Sequence, residues 1–416
     1  MNRYSLIVDG NYFLHKTLFI SGKIKRKGQL NFIDEPEKDS DILANKLATD
    51  FAYEVRRFAP ILDGIVYCID SSSWRKDFYP TTNTNDLASS GSYKGTRKKD
   101  NTINWKAIYD LHDKFANSLK DLGITVSRVD GTEADDLIFA WSSYLNMNNN
   151  NALIFSGDND LIQLVCNNES NGTNTLYYNK FAKRMYTFQN FDNWLSVNDV
   201  QSVDIFNQPL DLTSNTKLAL QGVLRGIEVK EMDTLEFVFK KILCGDAGDN
   251  VSPLYQFKKT SKDGKVRVFN ITDNKATKIL NEYEKDNGTI SESTFFSQNA
   301  ISEICAIAKQ QLKINDRTLD QLIEKYEANR NLMYLHNRAL PPSIMNVMLD
   351  HIEKTDHKTI RNMTQINKEN ITKPITSVFT GKELILEIEL LDFLFLCTNL
   401  CLLYLFFLFL SFSKCL

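Results

Sequence analysis

Short apolar runs alternate with longer stretches of helical period along the first part of the chain. Leu6-Ile7-Val8, Gly64 to Ile69 and Ala152 to Phe155 are too short for helices and rich in β-branched residues, which predicts buried strands. Between them the apolar spacing predicts helices over roughly 41–58, 105–122 and 133–145. Strand alternating with helix predicts an α/β fold, a mainly parallel central sheet flanked by helices. From Leu235 onward the pattern is mainly helical, so a second, smaller helical region is expected to pack on the first.

Between Trp74 and Trp105 the chain is polar, rich in Ser, Thr, Asn and Gly, and carries Lys94, Arg97, Lys98 and Lys99. It reads as a mobile loop or helical arch over the sheet edge. Two Asn-rich patches, Asn146–Asn151 and Asn167–Asn174, read as surface loops. From Phe393 to Ser413 there is no charged residue and mostly Leu and Phe. Length and hydropathy qualify that stretch as a transmembrane helix. Its monotony equally fits a misread or out-of-frame 3′ end, and both readings stay open. An anchor predicts protein in the membrane fraction; an artefact predicts that residues after about 375 are dispensable.

The 416 residues allow one large domain or two ordinary ones, and 43% hydrophobic with 24% charged residues is a soluble, globular balance. A net charge of −3 does not announce a nucleic-acid partner, but a carboxylate-rich site offsets basic surfaces elsewhere. Seven Cys without a CxxC pair and five His without HxxxH or HExxH spacing support neither zinc chemistry nor a disulfide framework. The usage suits a reducing cytosol. The apolar run ending at Asp9 is too short for a signal-peptide core, so a cytoplasmic location is expected.

Three predicted strands end in an acid: Asp9 after Leu6-Ile7-Val8, Asp70 after Ile69, and Asp158 after Phe155-Ser156-Gly157. Carboxyl ends of parallel strands lie along one edge, where ligands bind. A single such Asp is usually a turn residue; three aim at one crevice. Gly131-Thr132-Glu133-Ala134-Asp135-Asp136 opens a helix, and by itself reads as Thr132 capping with Asp135 at the third position. Asp158 and Asp160 stand two residues apart and alone read as a capped Asx turn. Cys244-Gly245-Asp246-Ala247-Gly248-Asp249-Asn250 looks like a helix end, a glycine turn and the cap of a next helix. Gathered in one cleft, these acids repel one another unless cations are present. All-oxygen donors select hard ions, Mg²⁺ or Mn²⁺. Two such ions about 4 Å apart clamp the attacking water and departing oxygen of a phosphodiester.

The order of Val8-Asp9-Gly10-Asn11, Ile69-Asp70, Glu133-Ala134-Asp135-Asp136, Gly157-Asp158-Asn159-Asp160-Leu161 and Gly245-Asp246-Ala247-Gly248-Asp249-Asn250 resembles the 5′-nuclease family of flap endonucleases and 5′→3′ exonucleases. Within it the chain looks most like the phage ribonuclease H branch, which removes RNA primers. The resemblance spans about residues 3–350. It implies a PIN-like catalytic domain over 1–205 with its arch at about 74–105, a helix-three-turn-helix DNA-binding region over 206–350, and a tail over 351–416. It also implies that Asp70, Glu133, Asp135 and Asp158 surround one Mg²⁺ with Asp9 nearby. Asp160, Asp246 and Asp249 would hold the second more loosely, and Asp136 would stand as an outer ligand. Tyr93-Lys94-Gly95-Thr96-Arg97 matches the family's YKxxR segment, where Lys94 and Arg97 contact the scissile phosphate; cations there stabilise developing charge. By itself the segment reads as a solvated basic loop.

One departure matters. In place of the family's glycine-rich hairpin, Val251-Ser252-Pro253-Leu254 leads to Lys258, Lys259, Lys262, Lys265 and Arg267. Nucleic-acid contacts are therefore expected from Tyr93, Lys94, Arg97, Lys98, Lys258, Lys259 and Lys265, sequence-blind and salt-sensitive. The implied partners are DNA and RNA–DNA hybrids with 5′ ends or flaps, a sliding clamp and a single-strand-binding protein. A haloacid-dehalogenase-type phosphatase needs an acid two residues after its nucleophile, where Asn11 stands. A small PIN-domain ribonuclease lacks the Asp246/Asp249 cluster, and a non-catalytic DNA-binding scaffold has no use for all these acids.

Overall fold

In the computed structural model residues 3–20, 36–78, 93–95, 105–196, 216–260 and 265–355 are described. Tyr4–Asp9 (β1) is buried at all six positions, so it can only lie inside a sheet, with both faces covered. The chain continues through α1 (Gly10–Ile20), α2 (Pro36–Phe58), β2 (Leu62–Cys68), α3 (Arg75–Phe78), α4 (Trp105–Asp121), β3 (Thr125–Ser127), α5 (Ala134–Met147) and β4 (Asn151–Ser156). There follow β5 (Cys166–Asn168), β6 (Thr173–Asn179), β7 (Arg184–Phe188), α6 (Phe191–Leu195), α7 (Thr216–Leu224), β8 (Glu228–Met232) and α8 (Thr234–Cys244). The last elements are β9 (Gln256–Thr260), β10 (Val266–Asn270), α9 (Asp273–Asn287), α10 (Gln298–Gln311), α11 (Leu319–Met333) and α12 (Pro342–Lys354).

The main sheet runs β3-β2-β1-β4-β6-β7-β8, with β5 also on β6. Pairs β2–β3, β1–β2, β1–β4, β4–β6 and β7–β8 are parallel; β6–β7 and β5–β6 are antiparallel. This is the mainly parallel, helix-flanked sheet of the PIN-like fold, with β1 between the other two predicted strands. Five strands of this sheet escaped the apolar pattern. β6 reads TNTLYYN, polar by composition, yet all seven residues are buried. The Asn-rich patches are correspondingly not simple surface loops. Asn146, Asn151 and Asn174 are buried, and their amides are held: Asn146 Nδ2 donates to Thr175 Oγ1 (2.7 Å), Asn174 N to Asn151 Oδ1 (3.0 Å), and the Tyr4 hydroxyl to Asn174 Oδ1 (2.6 Å). Amides held by such bonds can sit in a core that periodicity assigns to apolar residues, even with Asn146 Oδ1 and Asn174 Nδ2 left without a partner among the described residues.

Two compact units divide the chain. One comprises Met1–His15, Phe58–Asn101 and Ile124–Thr364, and so holds the sheet, α5 and α7–α12. Its C-terminal helices share a core including Phe239, Ile242, Ile279, Ile301, Ile304 and Tyr326. Full burial of each such apolar side chain contributes about 1.5–3 kcal/mol. The other unit, whose described residues are 16–20, 36–57 and 105–123, has Phe51 of α2 packed edge-on against Phe115 of α4, centroids 5.8 Å apart. A buried Lys16–Glu54 pair, 3.4 Å, lies within it.

Among the described residues no helix is long and apolar enough to cross a membrane, and the stretch 393–413 lies outside them. Of the expected arch, Trp74 to Phe78 and Tyr93 to Gly95 are described. Trp74 and Arg75 are buried, so the segment begins from a fixed root and not as a mobile loop.

Candidate active site

Because β2, β1 and β4 are adjacent and parallel, Asp9, Asp70 and Asp158 leave the sheet along one edge. Asp9 closes β1 and is 6% exposed. Its Oδ2 accepts from Ser156 Oγ (2.6 Å) at the end of β4, and its Oδ1 accepts from Tyr12 N (2.9 Å). Asp70 accepts from Ala134 N (2.6 Å) at the start of α5 and from the amide of Asn11. Asp158 Oδ1 accepts from Asp160 N (2.9 Å), which opens a 3₁₀ turn over Asn159–Leu164. The start of α1, which follows β1 directly, is equally constrained. A Cβ on Gly10 would lie 2.6 Å from the Cys68 carbonyl oxygen and 2.7 Å from the Tyr67 ring. Gly10→Ala is expected to cost about 1–3 kcal/mol by overpacking, read as a lowered urea midpoint at unchanged m-value.

The charges confirm that these acids share one field. Burial pushes the Asp9 carboxyl up to about 7 against the pull of its hydrogen bonds, and Asp70 and Asp158 add to the rise. Asp135, in the first turn of α5, is raised by burial and then by Asp158 and Asp9. Asp70 is raised by burial, with Glu133 contributing. Asp160 is pushed up to about 6 by burial, with Lys241 opposing and Asp158 and Asp246 assisting. Burial would also raise Asp246, but Lys241 and the N–H groups of Gly248 and Asp249 hold it below the ordinary value. Acids from five separate segments thus contribute to destabilising ionised carboxylates in this cluster.

Basic groups enter the same cluster. Lys94 Nζ lies 2.5 Å from Glu133 Oε1 and 3.8 Å from Asp249 Oδ2. The Tyr93 hydroxyl shares its proton between Asp249 Oδ2 (2.9 Å) and Glu133 Oε2 (3.1 Å). The turn carrying them is locked: Lys94 adopts φ 55°, and its N–H donates to the Asp249 carbonyl (2.9 Å). Tyr93 packs with Val251, Leu332 and Met333. Lys241 of α8 bridges Asp160 and Asp246, 3.1 Å from the latter. The Asp246 turn closes through two backbone bonds with Val251, 2.8 and 2.7 Å. Gly245 precedes it at φ 70°, where a Cβ would meet the Val251 carbonyl at 2.5 Å. The helix cap expected after this turn does not follow; the chain runs into the β9–β10 hairpin.

Three expectations need correction. Glu133, not Thr132, caps α5, and Asp136, not Asp135, completes the capping box; Thr132 instead donates to the Val129 carbonyl (2.8 Å). Asp136 is not placed as a metal ligand. It is fully buried, and Arg75 holds it by both guanidinium nitrogens, Nη1 to Oδ2 at 3.0 Å and Nη2 to Oδ1 at 2.9 Å. Trp74 Nε1 (3.1 Å) and the Glu133 N–H (3.1 Å) complete its shell. Tyr93, expected against nucleic acid, is buried and turned to the acids.

Lys258 and Lys259 lie on β9 and exposed Lys265 just precedes β10; Arg97 and Lys98 lie outside the described residues. Arg75, Lys241 and Ser156 were missed. An Arg or Lys in such a stretch carries no local signal of the distant acid it meets. Ser156 had one, standing two residues before Asp158 at a strand end.

The model of the 5′-3′ exonuclease N-terminal, resolvase-like domain matches residues 4–193. No curated protein matches the chain. Similar solved structures include the bacteriophage T5 flap endonuclease in a pseudo-enzyme-product complex with DNA and metal ions, 14% identical, covering 90% of this chain and 99% of that one, TM-score 0.43. Another is the T5 5′-exonuclease with bound zinc, 15% identical over 91% of this chain and 100% of that one, also TM-score 0.43. Sheet order and strand-end acids lie within the stretch, residues 4–193, that is similar to the 5′-3′ exonuclease N-terminal, resolvase-like domain.

Proposed function

We propose that the chain hydrolyses phosphodiesters of duplex DNA and RNA–DNA hybrids from a 5′ end or flap, using divalent cations, and that it removes RNA primers during phage DNA replication. The observation that carries the hydrolytic reading is the meeting of Asp9, Asp70, Asp135 and Asp158, whose proton affinities rise through burial and repulsion or contribute to that rise. Among the described residues no three such side chains are yet drawn together closely enough to hold an ion, and the Cys68 thiol lies in the same field, but the acids themselves offer only carboxylate oxygens, which suit hard dications. Asp70, Glu133, Asp135 and Asp158 would hold one Mg²⁺ or Mn²⁺ with Asp9 nearby, and Asp160, Asp246 and Asp249 a second. Bound there, such ions lower the pKa of water and stabilise charge on a departing oxygen.

The protein's own groups orient the carboxylates. Ser156 and the Tyr12 N–H fix the two oxygens of Asp9, and the Ala134 N–H and Asn11 fix Asp70. Lys94, tethered between Glu133 and Asp249, places an ammonium beside the acids, positioned to meet phosphate charge as it develops. Residues 206–350 would grip the duplex, and the sequence-blind lysines of β9 would contribute.

Incubating purified protein with a 5′-labelled flap or nicked duplex, with Mg²⁺ or with EDTA, tests the reading. Metal-dependent product at the 5′ end is expected, and none under chelation; cutting that persists in EDTA would sink it. Lys94→Ala is expected to lower single-turnover cleavage about 100-fold while changing DNA affinity less than threefold, because the loss falls on the transition state. Fluorescence anisotropy in Ca²⁺ gives the affinity.

A further inference from the structure

The β9–β10 ribbon is not explained by the acidic cluster. Among the described residues its strands pair only with each other, and such a ribbon is marginal unless something stabilises it. Its register sets Phe257 opposite Phe269 and Lys259 opposite Arg267, so these four positions fall on one face. The Phe257 and Phe269 rings stack nearly parallel, 8° apart with centroids at 4.8 Å, and Tyr255 lies 6.0 Å from Phe257. Yet Phe257 is 41% and Phe269 38% exposed. Residues 256–270 carry five basic side chains against one acid, in a chain whose net charge is −3.

We propose that this face is a stacking platform for unpaired bases of a nucleic-acid strand, with the basic positions along it meeting the phosphates. Exposed parallel rings on a ribbon rich in basic positions fit single-stranded nucleic acid, whose bases offer free π-faces; in a duplex those faces are covered. Charge excludes a basic partner and favours a polyanion. A lysine-rich strip gripping duplex backbone has no use for exposed aromatic rings. Gln256 follows Asp249 by seven residues, an extended reach of at most about 25 Å. The platform thus lies within one substrate's span of the acids. What the held strand is for, a flap or an unpaired template beside the cut, rests on the nuclease reading; the binding itself does not.

The test compares oligo-dT with a blunt duplex, by anisotropy in EDTA, for the full chain and for Phe257→Leu/Phe269→Leu. Leucine keeps apolar packing in the ribbon but offers no flat face. At about 1–3 kcal/mol per stacked base, oligo-dT affinity is expected to fall about tenfold or more, with duplex affinity within twofold. Phe257→Trp/Phe269→Trp is expected to restore it. Unchanged oligo-dT binding by the leucine variant overturns the proposal, as does an equal loss on both ligands. So does a wild-type protein that self-associates through this face, monomeric only in the leucine variant by sedimentation. Intact stacking dependence in a protein that never cuts with Mg²⁺ would instead remove the nuclease reading and leave the platform standing.

Discussion

Asp135→Asn is expected to abolish metal-dependent cleavage, lowering the single-turnover rate by more than about 100-fold, beyond the 10–100-fold typical of losing a group that only supports a ligand. Asp135 is the acid whose ionised form is opposed by burial and then by both Asp158 and Asp9, so it sits where the fields of three segments overlap. An isosteric amide removes one charge from that overlap without opening a cavity. The fold should therefore gain stability while function is lost, a trade common at strained sites. Two readouts separate this from simple unfolding. Without divalent ions the variant should melt at or above the wild-type temperature, since repulsion is relieved. Adding Mn²⁺ should raise the wild-type midpoint, by mass action on a ligand bound only to the folded state, and raise the variant's much less. DNA affinity should be unchanged within about threefold. Wild-type cutting by Asp135→Asn would mean that these acids do not form the reactive centre.

The sheet and its acids were legible because both obey short-range rules. β1, β2 and β4 are buried on two faces and so read as unbroken apolar runs, and parallel topology then places their terminal acids along one edge without knowledge of any contact. What stayed hidden depends on distance in space. β6 and its Asn and Thr residues pass for a loop, because composition does not reveal that Asn151 and Tyr4 bind Asn174. The α5 cap was misplaced by one residue since Thr132 is a favoured cap type and Glu133 is not. Only Arg75, arriving from another segment, decides that Asp136 is the partner of Glu133. For the same reason the local pattern does not rank Glu133, Asp135 and Asp136, the three acids of that cluster. In the fold Asp135 faces the other acids' field while Asp136 is enclosed by Arg75, Trp74 and the helix cap.

Arg75→Leu is the substitution expected to cost the most stability. The guanidinium is 2% exposed, and three of its nitrogens are engaged: Nη1 and Nη2 on Asp136, Nη1 also on Glu133 Oε2 at 3.0 Å, and Nε on the Leu332 carbonyl at 2.9 Å. Burial would weaken its charge, but Asp136 foremost, with Tyr93 and Glu133, raises its affinity for the proton, so it stays charged. Leucine leaves Asp136 buried with only the Trp74 and Glu133 N–H donors, and strips the Leu332 carbonyl of its donor. Breaking a buried pair from one side typically costs about 3–5 kcal/mol, a large share of the roughly 5–15 kcal/mol that holds a domain folded. Chemical denaturation should show that loss, and Arg75→Lys should restore little, because one ammonium cannot reproduce the planar fork across Asp136. Arg75→Leu combined with Asp136→Leu removes both charges and should recover part of the loss, since the isolated carboxylate, more than the missing attraction, is what destabilises. A single variant within about 1 kcal/mol of wild type would mean that solvent reaches Asp136, and that the root of the segment bearing Tyr93 and Lys94 is looser than this network implies.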